Sequence, residues 1–439
     1  MENSLALVSP DAAVADDDNC EGNTDRRYMR ILFLAHRLPY PPNKGDKIRS
    51  FWELKTLSAR HEVDLFCFYD DPQDRFQVEP LRYYCRSSYV EPISVPGSRL
   101  RAASAVVLGH PFGTAFFYSR QMAARVAEAV HSRSYDLAFV FGSSMAQYTE
   151  LWPDLPKILD LVDVDSDKWA QFSSHSSAPL SWLWKLESKR LKRYESNLVR
   201  AFANTLVCTE AEERLLRSVA PQGKISVLEN WLDLSYYQPE TTPVPDKICA
   251  LEPYVIFTGT MDYFPNVDAV QFFCREVLPQ IRVRVPKLRF VIAGRNPGRQ
   301  VMRLTADPSV VVTGTVSDIR PYLRGAAVAV APMRIARGVQ NKILEALAMD
   351  VPVVASSVAA AALPRELTLL LAAETSPEGL ADRVADLVLA PPERTHRRRE
   401  SVKRYTETLD LSAHLDQFVR AAAAAATSRT QEDRIEMTV

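Results

Sequence analysis

Twice in this chain an apolar strand runs into a glycine-containing turn, then a helix, then a second apolar strand. That repeated grammar limits the fold more than any other feature. The first copy is the strand Arg30–His36, the loop Arg37-Leu-Pro-Tyr-Pro-Pro-Asn-Lys-Gly-Asp46, a helix over Lys47–Arg60 and the strand His61–Phe68. The second is the strand Tyr254–Gly259, a helix over Asn266–Gln280 and the strand Leu288–Gly294. Strand, loop, helix, strand is the βαβ opening of a doubly wound parallel sheet, whose ligands bind at the carboxyl ends of the strands. Two openings predict two α/β halves, with a cleft between their facing loops.

The rest of each half keeps the alternation. After the second strand come a helix near Ser119–Ser132, strands over Asp136–Phe141 and Pro156–Asp163, a long helix over Pro179–Phe202 and a strand over Asn204–Cys208. Thr209 caps a further helix, and a strand from Lys224 leads to Asn230-Trp-Leu-Asp233. The proline-rich Pro239–Pro253 segment holds the linker, so the first domain spans 29–240, the linker 241–253 and the second domain 254–408. In the second half follow a strand over Val310–Gly314, a short helix over Asp318–Arg324, a strand over Ala327–Ala331 and helices over Glu378–Thr395 and Leu411–Ala426. Residues 1–28, rich in Asp, Ala and Asn, read as a disordered tail, and 428–439 as a second tail.

Composition excludes several classes. At 439 residues the chain suits two domains. Its formal charge, 53 minus 54, is −1, so no basic field points to nucleic acid. Six scattered cysteines without a CxxC pair read as reduced cytosolic thiols, neither a disulfide framework nor a zinc site. No apolar run approaches the ~20 residues of a membrane span, and the acidic N-terminus is the reverse of a signal peptide.

The chemistry concentrates at Arg334–Ser356. A polar loop with Gly338 enters a helix at Asn341, with Ile343, Leu344, Leu347 and Ala348 on its apolar face and Lys342 and Glu345 off it. Val351-Pro352 stops the helix, and Val353-Val-Ala355 suits a buried parallel strand. A loop entering a helix beside a sheet is an anion site, because the first N–H groups lack intrahelical partners. Lys342 adds a charge, and Glu345 offers oxygens suited to ribose hydroxyls.

This stretch resembles the donor-binding signature of the family 4 glycosyltransferases, which have the two-domain GT-B fold: a Glu, seven residues, a second Glu, then Ala-Met-Ala-x-Gly-x-Pro-Val-Val. Glu345 matches the second Glu, and Ala346-Leu-Ala348 and Pro352-Val-Val354 follow in register. Arg337 stands at the first Glu and Asp350 at the helix-ending Gly. The resemblance runs from Met29 to Ala426. Residues 41–49, 257–268 and 336–345 look like the sugar transferases associated with PEP-CTERM and exosortase-type exopolysaccharide loci.

The resemblance implies a nucleotide-diphosphate sugar donor, a lipid-linked or glycan acceptor, a retaining transfer without metal or cofactor, and a cytoplasmic place in exopolysaccharide assembly. It puts Gly259 and Thr260 against the donor phosphates, with Gly294 and Gly314 on the same rim. The Arg and Lys usual beyond that first Gly are absent here, so the diphosphate charge falls to Lys342 and to Arg334 or Arg337, beside Gly338 and Asn341. It lays Gly45 over the phosphates and gives Asp46 a positioning role, although Asp46 as a helix cap is a sufficient reading alone. Lys44 and Arg49 read as phosphate contacts or solvated charge. The catalytic candidates are Lys342, Asp46 and Asp163.

Several features read more plainly. The acidic run Asp160–Asp167 tempts as a metal site but has no His or Glu at ligand spacing, leaving Asp163 or Asp165 as acceptor-side candidates. Family members often carry a cleft His at the end of a first-half strand, and Phe139–Ser144 has none; His36 and His110 lie in loops within reach of the cleft, where a lone His is more often plain surface, and His61 reads as structural. The helix with Trp182, Trp184, Lys185 and Lys189 is either packed or a place for peripheral contact with the inner membrane, and the basic Arg394–Arg404 segment is ambiguous likewise. Two rival readings are a catalytically weak nucleotide-sugar-binding or scaffold protein, because of Arg337, and a dinucleotide oxidoreductase, against which no GxGxxG follows the first strand.

Overall fold

A computed structural model describes residues 28–42, 45–70, 72–174, 176–336, 338–390 and 396–436. The expected tail over 1–28 falls outside them apart from Tyr28, as do Lys44 and Arg337.

In the first domain β1 (Arg30–Ala35) leads through α1 (Gly45–Ser58) to β2 (Glu62–Tyr69), β3 (Ser87–Pro92), β4 (Leu137–Phe141) and β5 (Lys157–Val162). Then come α2 (Asp165–Ser174), α3 (Leu180–Ala201), β6 (Asn204–Val207) and β7 (Ile225–Val227). The strands form a seven-stranded sheet in the order β3-β2-β1-β4-β5-β6-β7, with every pair parallel. Leu32 and Leu34 enter one core layer while Ile31, Phe33 and Ala35 enter the other. This two-sided burial is why β1 is apolar at nearly every position.

The second domain has β8 (Tyr254–Thr258), α4 (Phe264–Phe272), β9 (Arg289–Ala293), β10 (Val310–Gly314), β11 (Val328–Ala331), α5 (Asn341–Ala348), β12 (Val353–Ser356) and β13 (Leu371–Glu374). Its six-stranded parallel sheet runs β10-β9-β8-β11-β12-β13. Strand order reverses beside β1 and β4 in one sheet, and beside β8 and β11 in the other. The loops after those strands are where ligands of such sheets bind. Both halves of the expected architecture are present.

Two edge strands escape sequence reading. In β3 every residue is at least partly exposed, and β13 is only half-buried. Neither carries the apolar run of a central strand. Within the expected Asn266–Gln280 helix, a π-helical segment at Phe273–Val277 interrupts the regular turns.

The chain crosses between domains twice. After β7 it passes through the linker, and it returns through α6 (Arg397–Leu409) and α7 (Leu411–Glu436). α7 continues beyond its expected end at Ala426. Leu415, Val419 and Ala422 join the first domain's core with Leu54 and Leu57 of α1. His61 fixes this return: its Nδ1 accepts from Met29 N–H at 3.4 Å, so Nε2 donates to Asp416 Oδ1 at 2.9 Å. Asp350, in place of the expected Gly, has φ 57. Its carboxylate accepts from His396 N–H at 3.0 Å and faces Arg398 at 3.7 Å, which ties α6 to the end of α5. That contact gives Asp a reason to occupy a position that Gly would hold with less strain.

Arg49 is neither a phosphate contact nor solvated charge. Its guanidinium forks onto buried Asp160 at 2.6 and 3.2 Å and donates to the Leu228 carbonyl at 2.7 Å, which pins α1 to the start of the linker. Burial alone would lower the Arg49 pKa, but Asp160 and Glu53 raise it above its ordinary value. Burial, then the charge of Asp160, pushes Glu53 well above the usual carboxylate range. Arg49→Leu is expected to destabilise the protein by about 3–5 kcal/mol, since it leaves Asp160 buried without its cation. Chemical denaturation checks this.

Candidate active site

Three glycines meet at the carboxyl rim of the second sheet. Gly259 follows β8, Gly294 follows β9 and Gly314 ends β10; Gly259 N–H donates to the Ala293 carbonyl at 3.1 Å and Gly294 N–H to the Gly314 carbonyl at 3.3 Å. A Cβ on Gly294 would lie 1.7 Å from the Gly259 carbonyl oxygen, and one on Gly259 2.7 Å from Asn266 Nδ2. The first two glycines are therefore required by the close packing of the two turns against each other and against Asn266. Gly314, at φ 67, has nothing within 4 Å of a Cβ and is a turn.

Lys342 projects beside this rim from the first turn of α5. Its ammonium donates to Asn266 Oδ1 at 2.7 Å and lies 4.1 Å from the centre of the Phe257 ring. Asn266 is 6% exposed and also donates to the Thr260 carbonyl at 3.0 Å, so it fixes the lysine against the turn after β8. Burial lowers the Lys342 pKa to about 7, and Glu345, one turn on, opposes this. Burial raises the Glu345 pKa, while a hydrogen bond from Tyr237 and the charge of Lys342 pull it back. Gln340 at the N-cap makes no side-chain cap, so the start of α5 keeps its anion-binding character.

Arg295 follows Gly294 directly. Burial lowers its pKa, and so does the charge of Arg37, which comes from the first domain. Met261 N–H donates to the Arg295 carbonyl at 2.8 Å, joining the two turns of the rim. Arg334, expected on the phosphates, instead forks onto Asp268, with Nε to Oδ2 at 2.9 Å, and stacks over Phe272.

Opposite, the loop after β1 carries His36, which is not surface. Its ring stacks on Phe141 at 5.6 Å and would sit 3.0 Å from a Cβ on Gly142. His36 thus packs against the end of the neighbouring β4. Asp46 lies in the first turn of α1, with its carboxylate 2.7 Å from Arg37 and 3.4 Å from His36. Burial would raise its pKa, but the His36 hydrogen bond and the Arg37 charge hold it well below the ordinary range. It therefore positions these two side chains and is a poor base. His110 is exposed, as expected of a surface loop.

The remaining candidates lie where the domains touch. Gly338, at φ 56, sits so close to the first domain that a Cβ would be 2.5 Å from Asp163 Oδ1 and 2.9 Å from Cys208 Sγ. Cys208 donates to Asp163 at 3.1 Å. Asn341 Oδ1 accepts from Asn230 at 3.3 Å, and its Nδ2 is the nearest atom to a Cβ on Gly45, at 3.9 Å. Farther out, Lys168 pairs with Asp165 at 3.6 Å and lies 5.6 Å from the Tyr263 ring, while Phe172 meets Phe264 edge to face. Glu212 and Glu195 accept from Val164 and Ser166 N–H at 2.8 and 3.0 Å, which holds the start of α2 toward the second domain. Among the described residues, no three His, Cys, Asp or Glu side chains gather as a metal-holding group.

Residues 252–389 match the family described as glycosyl transferases group 1. The second domain is a glycosyltransferase group 1 domain. The enzyme class, glycosyltransferase, follows from it. The glycosyltransferase also resembles solved structures over nearly its whole length. Sucrose-phosphate synthase from Thermosynechococcus elongatus aligns with a TM-score of 0.63 at 15% identity, covering 90% of this chain and 100% of that one. The Anabaena HepE protein in complex with UDP and glucose gives 0.59 at 14%, covering 91% and 100%. The OtsA apo structure gives 0.61 at 10%, covering 90% and 99%. At these identities the likeness establishes the fold, which is GT-B. The comparison with curated proteins gives no match.

Sequence reading passed over Asn266, Arg295, Lys168 and Tyr237. Asn266 had a signal, since Pro-Asn-Val-Asp lies within the 257–268 stretch, and Arg295 directly follows a strand-end glycine. Lys168 and Tyr237 had none, because the contacts that place them, with Tyr263 and Glu345, are distant in sequence.

Proposed function

We propose that the protein transfers a sugar from a nucleotide-diphosphate sugar to a hydroxyl of a lipid-linked or glycan acceptor, with retention, in exopolysaccharide assembly at the cytoplasmic membrane face. The observation that carries this reading is the Lys342 ammonium held beside the close-packed Gly259–Gly294 turns of a glycosyltransferase domain. A HepE structure holding UDP-glucose, on the same fold, supports a nucleotide-sugar donor.

In this reading the diphosphate lies on the glycine rim between Lys342 and Arg295, and Glu345 holds the ribose. The bond between the anomeric carbon and the β-phosphate oxygen breaks, and its electron pair stays on the phosphate. Lys342 and the N-terminus of α5 stabilise that charge without reorganising. The acceptor oxygen bonds to the anomeric carbon from the same face, and its proton leaves to the departing phosphate oxygen. His36, Arg37 and Asp46 line the acceptor side, and closure of the two domains excludes water. No metal or cofactor takes part. Exposed Leu180 and Trp182, with Lys185 and Lys189 on the same helix, supply the membrane contact.

Nucleoside diphosphate release from a panel of UDP-, GDP- and ADP-sugars, with and without glycolipid acceptors, tests the proposal. Acceptor-dependent release from one donor supports it. Donor binding with no release on any acceptor means a binding protein instead.

Because the free Lys342 titrates at about 7, a bound diphosphate would reprotonate it. Nucleotide binding at pH 8 is then expected to take up about one proton, and affinity to fall up to about tenfold per pH unit above 7. Calorimetry in buffers of different ionisation enthalpy measures the uptake, which should vanish in Lys342→Met.

A further inference from the structure

Between the two interdomain crossings lies a cavity of about 550 Å³ that the donor reading does not use. Its walls come from α1, from the Leu228–Trp231 segment where the chain leaves the first domain, and from the α6–α7 junction where it returns. Asn341, at the start of the donor-domain helix, closes one end. The volume falls within the range of small-molecule sites.

The wall chemistry is specific. Trp52 and Trp231 pack edge to face, and Leu411 and Leu415 stand on the α7 side. Several of the charged groups are already engaged. Arg49 is held by Asp160, Glu229 accepts from the Tyr405 hydroxyl at 2.6 Å, and Arg60 pairs with Asp416 at 3.3 Å. Glu53 is 4% exposed. Neither of its carboxyl oxygens has a hydrogen-bond partner among the described residues. Lys55, 4.3 Å from the Trp52 ring centre, and Glu407 and Asp410 also line the cavity, so charges of both signs face it and neither sign of ligand is selected.

We propose that this hinge cavity binds an uncharged saccharide. A pyranose ring presents C–H groups to the electron-rich face of an indole and hydroxyls to groups such as Glu53, Asn230 and Asn341. Because the walls belong to both crossings and to both domains, an occupant stabilises one interdomain angle. Saccharide binding and donor binding are thereby coupled, each altering the other's affinity by the same factor.

The test titrates maltose, sucrose and N-acetylglucosamine into the full-length protein, read by saturation-transfer NMR and tryptophan fluorescence. Trp52→Ala removes an aromatic wall, and Ala59→Trp fills the cavity from an exposed turn position just after α1. At least one saccharide should bind saturably and weaken at least tenfold in both variants. Affinity for the nucleoside diphosphate, measured without saccharide, should stay within twofold. No binding by any of the three sugars, or binding unchanged in both variants, overturns the proposal. Saccharide binding lost in the variants, with no nucleotide bound to any form, would count against the donor reading and leave the hinge site standing.

Discussion

Lys342→Met is expected to lower kcat/KM for the donor by about 10²–10³-fold, on the order of 3–4 kcal/mol of transition-state stabilisation, while leaving thermal stability nearly unchanged. The two halves of that expectation have one cause. In the free protein the ammonium lies over Phe257 and is held by a hydrogen bond to Asn266 and a weak one to the Met333 sulfur. Its charge contributes little to folding, and a thioether packs well against Phe257 and Met333. The loss of Asn266's donor costs about 1 kcal/mol. A lysine kept for a fold-stabilising ion pair would behave in the reverse way, with a large stability loss and a small kinetic one. Steady-state kinetics and a melting curve on the same preparation separate the two cases.

Gly294→Ala should unfold the rim. The new Cβ would sit 1.7 Å from the Gly259 carbonyl oxygen, which is backbone and cannot swing aside. The cost is on the order of 3 kcal/mol, with a melting shift of roughly 6–12 °C in a domain of this size. Nucleotide binding should vanish with it, since Gly259 and Asn266 move together. Gly314→Ala is the control. Its Cβ meets nothing, so only the positive φ opposes it, at about 1 kcal/mol. Equal losses in the two variants would mean that the rim is not close-packed.

The fold was legible because both sheets are parallel and covered on both faces. Such strands must be apolar throughout, so β1, β4, β8 and β12 stand out against the loops. The edge strands β3 and β13 lack that constraint and went unseen. At the site, Lys342 and Glu345 were legible because the sequence places them beside a loop, an apolar helix face and a proline stop. Gly259 and Gly294 were visible only as strand-end glycines. Their mutual packing is a tertiary fact between segments thirty-five residues apart. Arg334 and Arg49 were misread for the same reason. Asp268 and Asp160, the carboxylates that take them, are distant in sequence, and a cation's partner cannot be inferred from its neighbours. The choice between cleft and surface for His36 stayed open because the sequence does not show that β4, with Phe141, lies beside β1.

The most direct test is the position of the diphosphate in a crystal of the protein grown with the nucleoside diphosphate that the donor panel selects. Phosphate oxygens within hydrogen-bond distance of Lys342 Nζ and of backbone at Gly259–Thr260, with the ribose on Glu345, are the expected result. A nucleotide seated on the first domain, or one whose phosphates leave Lys342 bonded only to Asn266, would contradict it.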